Sequence, residues 1–312
     1  MRIRIGTGVS SQRTDWPALR DVAIAAERAG LDSLWTWDHL LADEGPWEQP
    51  ILEGWSVLAA WAAVTERATL GLLVAANTFR NPGLTAKLAT TLDHLSGGRA
   101  VLGIGGGWFD REHEAFGIDF GSGFGERLDR LDEAVMLIRR LLDGERVTHE
   151  GRFYTMRDAL VEPRPLQARL PILIGGRGRK KTLRIAAKYA DHWNIWNEFG
   201  SAELAIDLAG VLDAHCGDVG RDPAAIERSF SQEGIIRDDP AEARRVFATA
   251  YRGHGLDPDA GVFALCGPPD LVADGLRPLI EAGFRHFIWV LRTPYDTETL
   301  QRLGEVRAIL EG

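Results

Sequence analysis

Short apolar runs alternate along the chain with longer stretches whose apolar residues recur every three or four positions. The first run, Ile3 to Val9, reads as a strand. The stretch after it sets Leu19, Val22, Ala23 and Ala26 on one helical face, with Asp15 as cap, Pro17 in the first turn and Gly30 as the stop. The pairing then repeats: a strand from Ser33 to Trp37 and a helix over 53–64, a strand from Thr69 to Ala75 and a helix ending at Leu95. A strand from Ala100 to Gly105 follows, then a helix from Glu126 to Leu142 with Leu128, Leu131, Val135 and Ile138 in its apolar stripe. Residues 145–168 break the rhythm and read as an inserted hairpin. The rhythm resumes with strands at 172–174, 192–196, 227–236 and 284–291, each followed by a helical pattern, and a brief apolar run at 262–266. Eight strands with intervening helices and no linker-like stretch or internal repeat predict one domain over residues 1–312. Its fold is α/β, a (β/α)8 TIM barrel with an insertion after strand 4.

A barrel of this kind gathers its chemistry at the C-terminal ends of the strands. The segments placed there are Asp38-His39, Val74 to Asn77, Gly105 to Trp108, Gly175 to Lys181, Trp193 to Asn197, Gln232-Glu233 and Trp289 to Arg292. They are scattered in sequence and converge on one mouth only through the fold. Trp37, Trp47 and Trp108 fall where they can wall a pocket, although tryptophan at a strand end serves as core at least as often.

The segment Ile172 to Lys181 changes the picture most. An apolar strand runs into Gly175, Gly176 and Gly178, and a helix begins directly afterwards, a geometry that aims backbone N–H groups at an anion. Arg177, Arg179, Lys180, Lys181 and Arg184 crowd the same place in a chain of net charge −9, which points to an acidic small molecule held by its phosphate. The P-loop pattern is not met, because Lys180 stands where its glycine belongs.

Composition narrows the rest. A hydrophobic content of 45% over 312 residues is enough for a full core without disulfides, and Cys216 and Cys266 form neither a CxxC pair nor a metal spacing. A sequence pI near 5.4 argues against a nucleic-acid partner. The chain enters its first strand without a signal-like segment, and no run approaches about 18 apolar residues, so a cytoplasmic protein with no membrane partner is expected. His94, His149, His192 and His286 lack metal spacing, no HExxH occurs, and no metal is expected. Glu112-His113-Glu114 reads as an exposed helix start. No Gly-x-Ser-x-Gly elbow is present, which leaves a hydrolase triad unsupported.

Taken in order, several motifs resemble the bacterial luciferase-like monooxygenase superfamily, and within it the branch of oxidoreductases that use the deazaflavin coenzyme F420. They are Asp38-His39-Leu40, Thr78-Phe-Arg-Asn-Pro82, Leu92-Asp-His-Leu-Ser-Gly-Gly-Arg99, Gly103-Ile-Gly-Gly-Gly-Trp-Phe109, Gly125-Glu-Arg-Leu-Asp-Arg-Leu131, Pro163-Arg-Pro-Leu-Gln167 and Tyr189-Ala-Asp-His-Trp-Asn194. The last hundred residues match in architecture alone. The resemblance implies a flavin-type ring in the barrel mouth and a non-proline cis peptide at Leu73-Val74 pressing on it. The cofactor contacts it implies run through Asp38, His39, Leu73, Val74, Ala75, Asn77, Gly105, Gly106, Gly107 and Trp108, with the phosphate on Gly175, Gly176, Arg177, Gly178, Lys180 and Lys181.

The resemblance makes His39 the catalytic candidate, since a histidine beside the ring exchanges a proton near neutral pH while hydride moves. Asp38 is expected to touch the ring or to orient His39. The sugar-phosphate dehydrogenases of this branch carry a glutamate acid about where Gly107 or Trp108 stands here, a departure that weakens the expectation of their two-residue scheme and of a sugar-phosphate substrate. Five cations exceed what one phosphate requires, which favours the polyglutamate-tailed F420 over FMN. The alternatives are an FMN-dependent two-component monooxygenase fed by a separate reductase, and a cofactor-free barrel acting as a binding protein. A homodimer acting on a small-molecule substrate is the family's usual arrangement.

Overall fold

A computed structural model describes residues 2–196, 202–259 and 264–312. The first half of the chain forms β1 (Arg4–Val9), α1 (Trp16–Arg28), β2 (Ser33–Thr36), α2 (Gly54–Val64), β3 (Thr69–Leu72), β4 (Ala75–Ala76), α3 (Pro82–Leu95), β5 (Leu102–Gly105), α4 (Asp110–Phe116) and α5 (Phe124–Leu142). An antiparallel hairpin of β6 (Val147–Glu150) and β7 (Thr155–Ala159) stands apart from the main sheet, as the broken rhythm predicts. The second half supplies β8 (Ile172–Gly175), α6 (Thr182–Tyr189), β9 (His192–Trp196), α7 (Ala202–Val219), β10 (Glu227–Gln232), α8 (Pro240–Gly253), α9 (Pro269–Glu281), β11 (Phe284–Leu291) and α10 (Thr297–Glu311).

Nine parallel segments order as β3-β2-β1-β11-β10-β9-β8-β5-β4. β3 and β4 are two halves of the third barrel strand, expected as one run from Thr69 to Ala75. The cis peptide between Leu73 and Val74 separates them. Each half pairs onward to β5: Ala75 sits opposite Ile104, and Leu70 and Ala100 form a parallel bridge closed by Val101 N–H donating to the Leu70 carbonyl at 2.9 Å. That pairing shuts the barrel. The seventh strand, expected to reach Ile236, ends at Gln232, and of the apolar run 262–266 only 264–266 lie within the described residues.

Alternation along the strands divides the core. Leu34, Leu70, Leu102, Ile104, Ile172 and Ile174 face the helices, whereas Trp35, Leu73, Val101, Leu173 and Ile288 meet inside the ring. The interior is narrow because a fully buried Trp35 needs room. A Cβ on Gly71 would lie 2.6 Å from its ring, and one on Gly103 would lie 2.0 Å from the Leu72 carbonyl oxygen. Two family motifs turn out to be scaffold: the fully buried Asp93 carboxylate accepts the Leu166 N–H at 2.7 Å and the Gln167 side chain at 2.7 Å, fastening the segment after the hairpin to α3. Among the described residues no helix is long and apolar enough to cross a membrane.

Candidate active site

His39 follows β2 directly, at the C-terminal mouth, and its side chain is only 12% exposed. Its Nδ1 lies 3.1 Å from Glu112 Oε1 and 3.3 Å from Oε2, while the second carboxylate oxygen also accepts the Leu40 N–H at 2.8 Å. Its Nε2 points toward Asp43 Oδ2 at 3.5 Å. Burial alone would depress the imidazole's proton affinity. The hydrogen bond to Glu112 and the negative charges of Asp43, Glu112 and Asp38 outweigh burial, so the pKa of His39 is raised above its ordinary value. The geometry fits an imidazole that donates Nδ1–H to Glu112 and keeps Nε2 for exchange.

Glu112 and His113 correct the reading of 112–114 as an exposed helix start: both are nearly fully buried. α4 begins immediately after the glycine loop, and its first turn throws Glu112 back toward His39 and Leu40. His113 closes the other side, its Nδ1 at 2.7 Å from the Phe109 carbonyl and its Nε2 at 2.7 Å from Thr78 Oγ1. A buried pair of polar residues at the start of a helix leaving the mouth is the signal that periodicity alone does not carry.

Asp38 is committed elsewhere. Its carboxylate takes a two-pronged ion pair from Arg80, at 2.6 and 2.8 Å, and accepts the Ala76 N–H at 2.9 Å. Burial pushes its pKa up against the pull of Arg80. The partner that orients His39 is therefore Glu112 rather than Asp38, and the arginine of the Thr78-Phe-Arg-Asn-Pro82 motif exists to hold Asp38 against the third strand.

The glycines form a floor. Val74 projects from the interrupted strand into the space left by two of them: a Cβ on Gly105 would lie 2.8 Å from Val74 Cγ2, and one on Gly175 would lie 2.8 Å from Cγ1. Gly107 adopts φ +76° and has no room for a Cβ beside Thr78, while Arg127 donates to its carbonyl at 3.2 Å. Gly106 is half-buried between them. Leu73 and Ala75 are buried, and buried Asn77 donates to the hydroxyl of Tyr154 at 3.1 Å, which brings the inserted hairpin to the edge of the site. Trp108 is 60% exposed, stacks on Phe109 with centroids 5.3 Å apart, and stands edge-on to His39 at 5.4 Å.

Across the mouth, Gly176 turns at φ +127° and a Cβ on Gly178 would lie 2.5 Å from Thr182 Oγ1. α6 then starts with no side-chain cap on its first turn. Of the five cations, Arg179 pairs with Asp207, Lys181 reaches Asp129 and the Gly125 carbonyl, and Arg184 lies 3.8 Å from Asp218. Arg177 and Lys180 are exposed and have no ion-pair partner among the described residues. The surplus of charge inferred from sequence thus reduces to two side chains beside an uncapped helix start, a fit for one phosphate.

A second buried cluster was invisible in the histidine spacing. At the opposite, N-terminal end of the strands, His192 Nδ1 and His286 Nδ1 approach Glu227 Oε1 at 2.9 and 3.0 Å. The three could serve as metal donors by position. Arg4 also donates to both Glu227 oxygens, at 2.9 and 3.1 Å, and Ser33 Oγ lies 2.7 Å from His286 Nε2. With a guanidinium already on the carboxylate, the cluster is a charge knot tying β1, β9, β10 and β11 together. Burial opposes the charge on Glu227, but the two imidazoles hold its pKa far below the usual carboxylate range.

The family model of luciferase-like monooxygenases matches residues 1–286. An F420-dependent glucose-6-phosphate dehydrogenase from Microbacterium testaceum is 37% identical, the match covering 92% of this chain and 91% of that protein. A phthiodiolone/phenolphthiodiolone dimycocerosates ketoreductase from a Mycobacterium species is 33% identical over 100% of this chain and 83% of the relative. In fold, an F420-dependent secondary alcohol dehydrogenase solved with an F420-acetone adduct superposes with TM-score 0.85 at 20% identity, covering 99% of both chains. With a barrel whose third strand breaks at Leu73-Val74 and a family match spanning nearly its whole length, the chain belongs to the luciferase-like monooxygenase family.

Proposed function

We propose that the protein is an F420-dependent oxidoreductase, with His39 handling the proton that accompanies hydride transfer to or from a small organic substrate. The observation that carries this reading is His39 held at the mouth by buried Glu112, three strand positions round the ring from the glycine turn and its two available cations. The names of the relatives supply the cofactor: F420 dependence recurs in several curated proteins at 31–37% identity. Bound there, the deazaflavin supplies or takes the hydride.

The chain's own residues do the remainder. Gly105 and Gly175 let Val74 seat between their strands, and a ring lies against Val74 and the backbone from Leu73 to Ala75. Gly176, Gly178, Arg177 and Lys180 receive the phosphate. Trp108 and Phe109 stand edge-on against His39, whose side chain is 12% exposed. Reducing a carbonyl requires a proton on the oxygen as hydride reaches the carbon; His39 Nε2 gives that proton, and Glu112 steadies the imidazolium beforehand.

Absorbance titration of the purified protein with F420 and, separately, with FMN tests the reading. Saturable binding of F420, with His39→Ala binding it equally but losing at least a hundredfold in hydride-transfer rate, is the expected result. Binding of FMN alone would replace the reading with the monooxygenase alternative.

A further inference from the structure

After each hydride transfer His39 has to regain or shed a proton, yet its imidazole is 12% exposed and flanked edge-on by Trp108 and Phe109. Its Nδ1 is occupied by Glu112 at 3.1 Å. Nε2 is the nitrogen left for exchange, and the carboxylate beside it is that of Asp43, with Oδ2 at 3.5 Å. We infer that Asp43 carries protons between solvent and His39 Nε2; the inference deepens the function proposed above and rests on it.

The other carboxylates of this side are tied. Asp38 is clamped by Arg80 and accepts the Ala76 N–H at 2.9 Å. Glu53 also meets Arg80, and it caps α2 by accepting the Trp55 and Ser56 N–H groups at 3.2 and 2.7 Å. Glu44 lies 2.7 Å from Arg292; burial opposes its charge, but His254 and Arg292 hold its pKa down to about 2. Glu112 accepts the Leu40 N–H while facing Nδ1. Asp43 differs, since among the described residues His39 is its one ion-pair partner. Arg13 donates to the Gly253 carbonyl instead, and Arg111 lies 3.7 Å from Glu114 and over the Trp47 ring. Burial, with the charge of Glu44, raises the pKa of Asp43 against the opposite pulls of His39 and Arg292, so this carboxylate takes up a proton more readily than an ordinary one.

The backbone holds Asp43 in place and leaves its carboxylate unclamped. Buried Gln12 accepts the Asp43 N–H at 3.2 Å and donates to the Glu44 carbonyl at 2.6 Å, fastening the loop to the end of β1. The Asp43 side chain is 20% exposed, which gives it the contact with solvent that the imidazole lacks. A rotation of the carboxyl or one bridging water closes the gap to Nε2. Protonated Asp43 then gives its proton to neutral His39, leaving a carboxylate beside an imidazolium, and solvent reprotonates the carboxylate. Alcohol oxidation runs the same transfers backwards.

Proton exchange between His39 Nε2 and water, read by NMR line shape on protein carrying isotope-labelled histidine, tests this in the free and the F420-saturated protein. Asp43→Asn is expected to slow the exchange at least about tenfold, added acetate to restore it, and Asp43→Glu to keep it near wild type. Wild-type exchange should not respond to acetate. Equal exchange in Asp43→Asn and wild type, a slowing that acetate leaves untouched, or a wild-type exchange that acetate accelerates as strongly would each overturn the inference. Absorbance titration with F420 on the same samples reads the proposed function separately. Slowed, acetate-restored exchange in a protein that does not bind F420 would sustain the relay and remove the cofactor reading instead.

Discussion

Replacing Glu112 with glutamine isolates what the buried carboxylate does for His39. Glutamine keeps the volume and an oxygen for the Leu40 N–H, now at 2.8 Å, but removes the anion 3.1 Å from His39 Nδ1. A hydrogen bond to a charged group is worth about 1.5–3 kcal/mol, and each ~1.4 kcal/mol is a factor of ten. The imidazolium of His39 is raised in stability by this bond against an opposing burial effect, so its loss shifts the balance toward neutral histidine. Above both transitions the protonated fraction falls about 10- to 100-fold, and ketone reduction falls with it. Single-turnover oxidation of reduced F420 by a ketone, followed by absorbance from about pH 5.5 to about 9.5, reads this directly. The variant should share the wild-type plateau in acid and lose rate at a lower pH; the reverse reaction, which needs neutral His39, should gain on the acid side. Stability carries the same sign. A histidine whose folded pKa is raised contributes stability that is fully present below about 6.5 and lost as pH rises through the folded value. The gap in thermal stability between wild type and Glu112→Gln should accordingly be widest near pH 6 and narrow toward pH 9. A rate lowered by one factor at every pH, with an unchanged profile, would refute the reasoning and reduce Glu112 to a structural part.

Other substitutions probe the remaining parts. Gly175→Ala puts a Cβ 2.8 Å from Val74 Cγ1, and such overpacking costs about 1–3 kcal/mol; urea denaturation should show that loss together with weakened F420 binding. Arg177→Ala with Lys180→Ala should raise the dissociation constant for F420 about 5- to 100-fold at low salt, and less at high salt because both side chains are exposed; Lys181→Ala, already tied to Asp129, should change it far less. Glu227→Gln leaves Arg4 without its anionic partner and should lower stability by about 3 kcal/mol while F420 affinity, at the opposite end of the barrel, stays the same. The depressed Glu227 carboxyl contributes stability present above the ordinary carboxylate range and lost as pH falls, so this variant should also unfold with a flatter acid dependence.

What could be read in advance and what could not divides along a physical line. Strand β11, from Phe284 to Leu291, and β9, from His192 to Trp196, match their expected bounds: Phe287 to Leu291 is the continuous apolar run of a strand buried on both faces, and Trp193 and Ile195 flank Asn194 in β9. The third strand's bounds did not, since its break between Leu72 and Ala75 leaves every apolar residue in place and alters only the backbone; the cis peptide at Leu73-Val74, expected from the family resemblance, is there. Charge was misjudged at the glycine turn after β8 for a different reason: Asp129, Asp207 and Asp218, which neutralise three of the five cations, come from α5 and α7 and enter only when helices pack. The same applies to the histidines. A local spacing rule looks for ligands a turn apart, yet His192 and Glu227 are partners because parallel register sets them side by side, and His286 arrives from β11 by the same register. Glu112 is the sharpest case. Its neighbours Arg111 and Glu114 are exposed and mark the segment as surface, so only the direction in which α4 leaves the mouth shows that the carboxylate between them turns inward. A close approach of a side chain to the backbone, as Val74 makes at Gly105 and Gly175, announces itself through glycine because a Cβ there would clash. A contact made by a side chain delivered from a distant element has no such marker, and pairs such as His39 with Glu112 must be found in three dimensions.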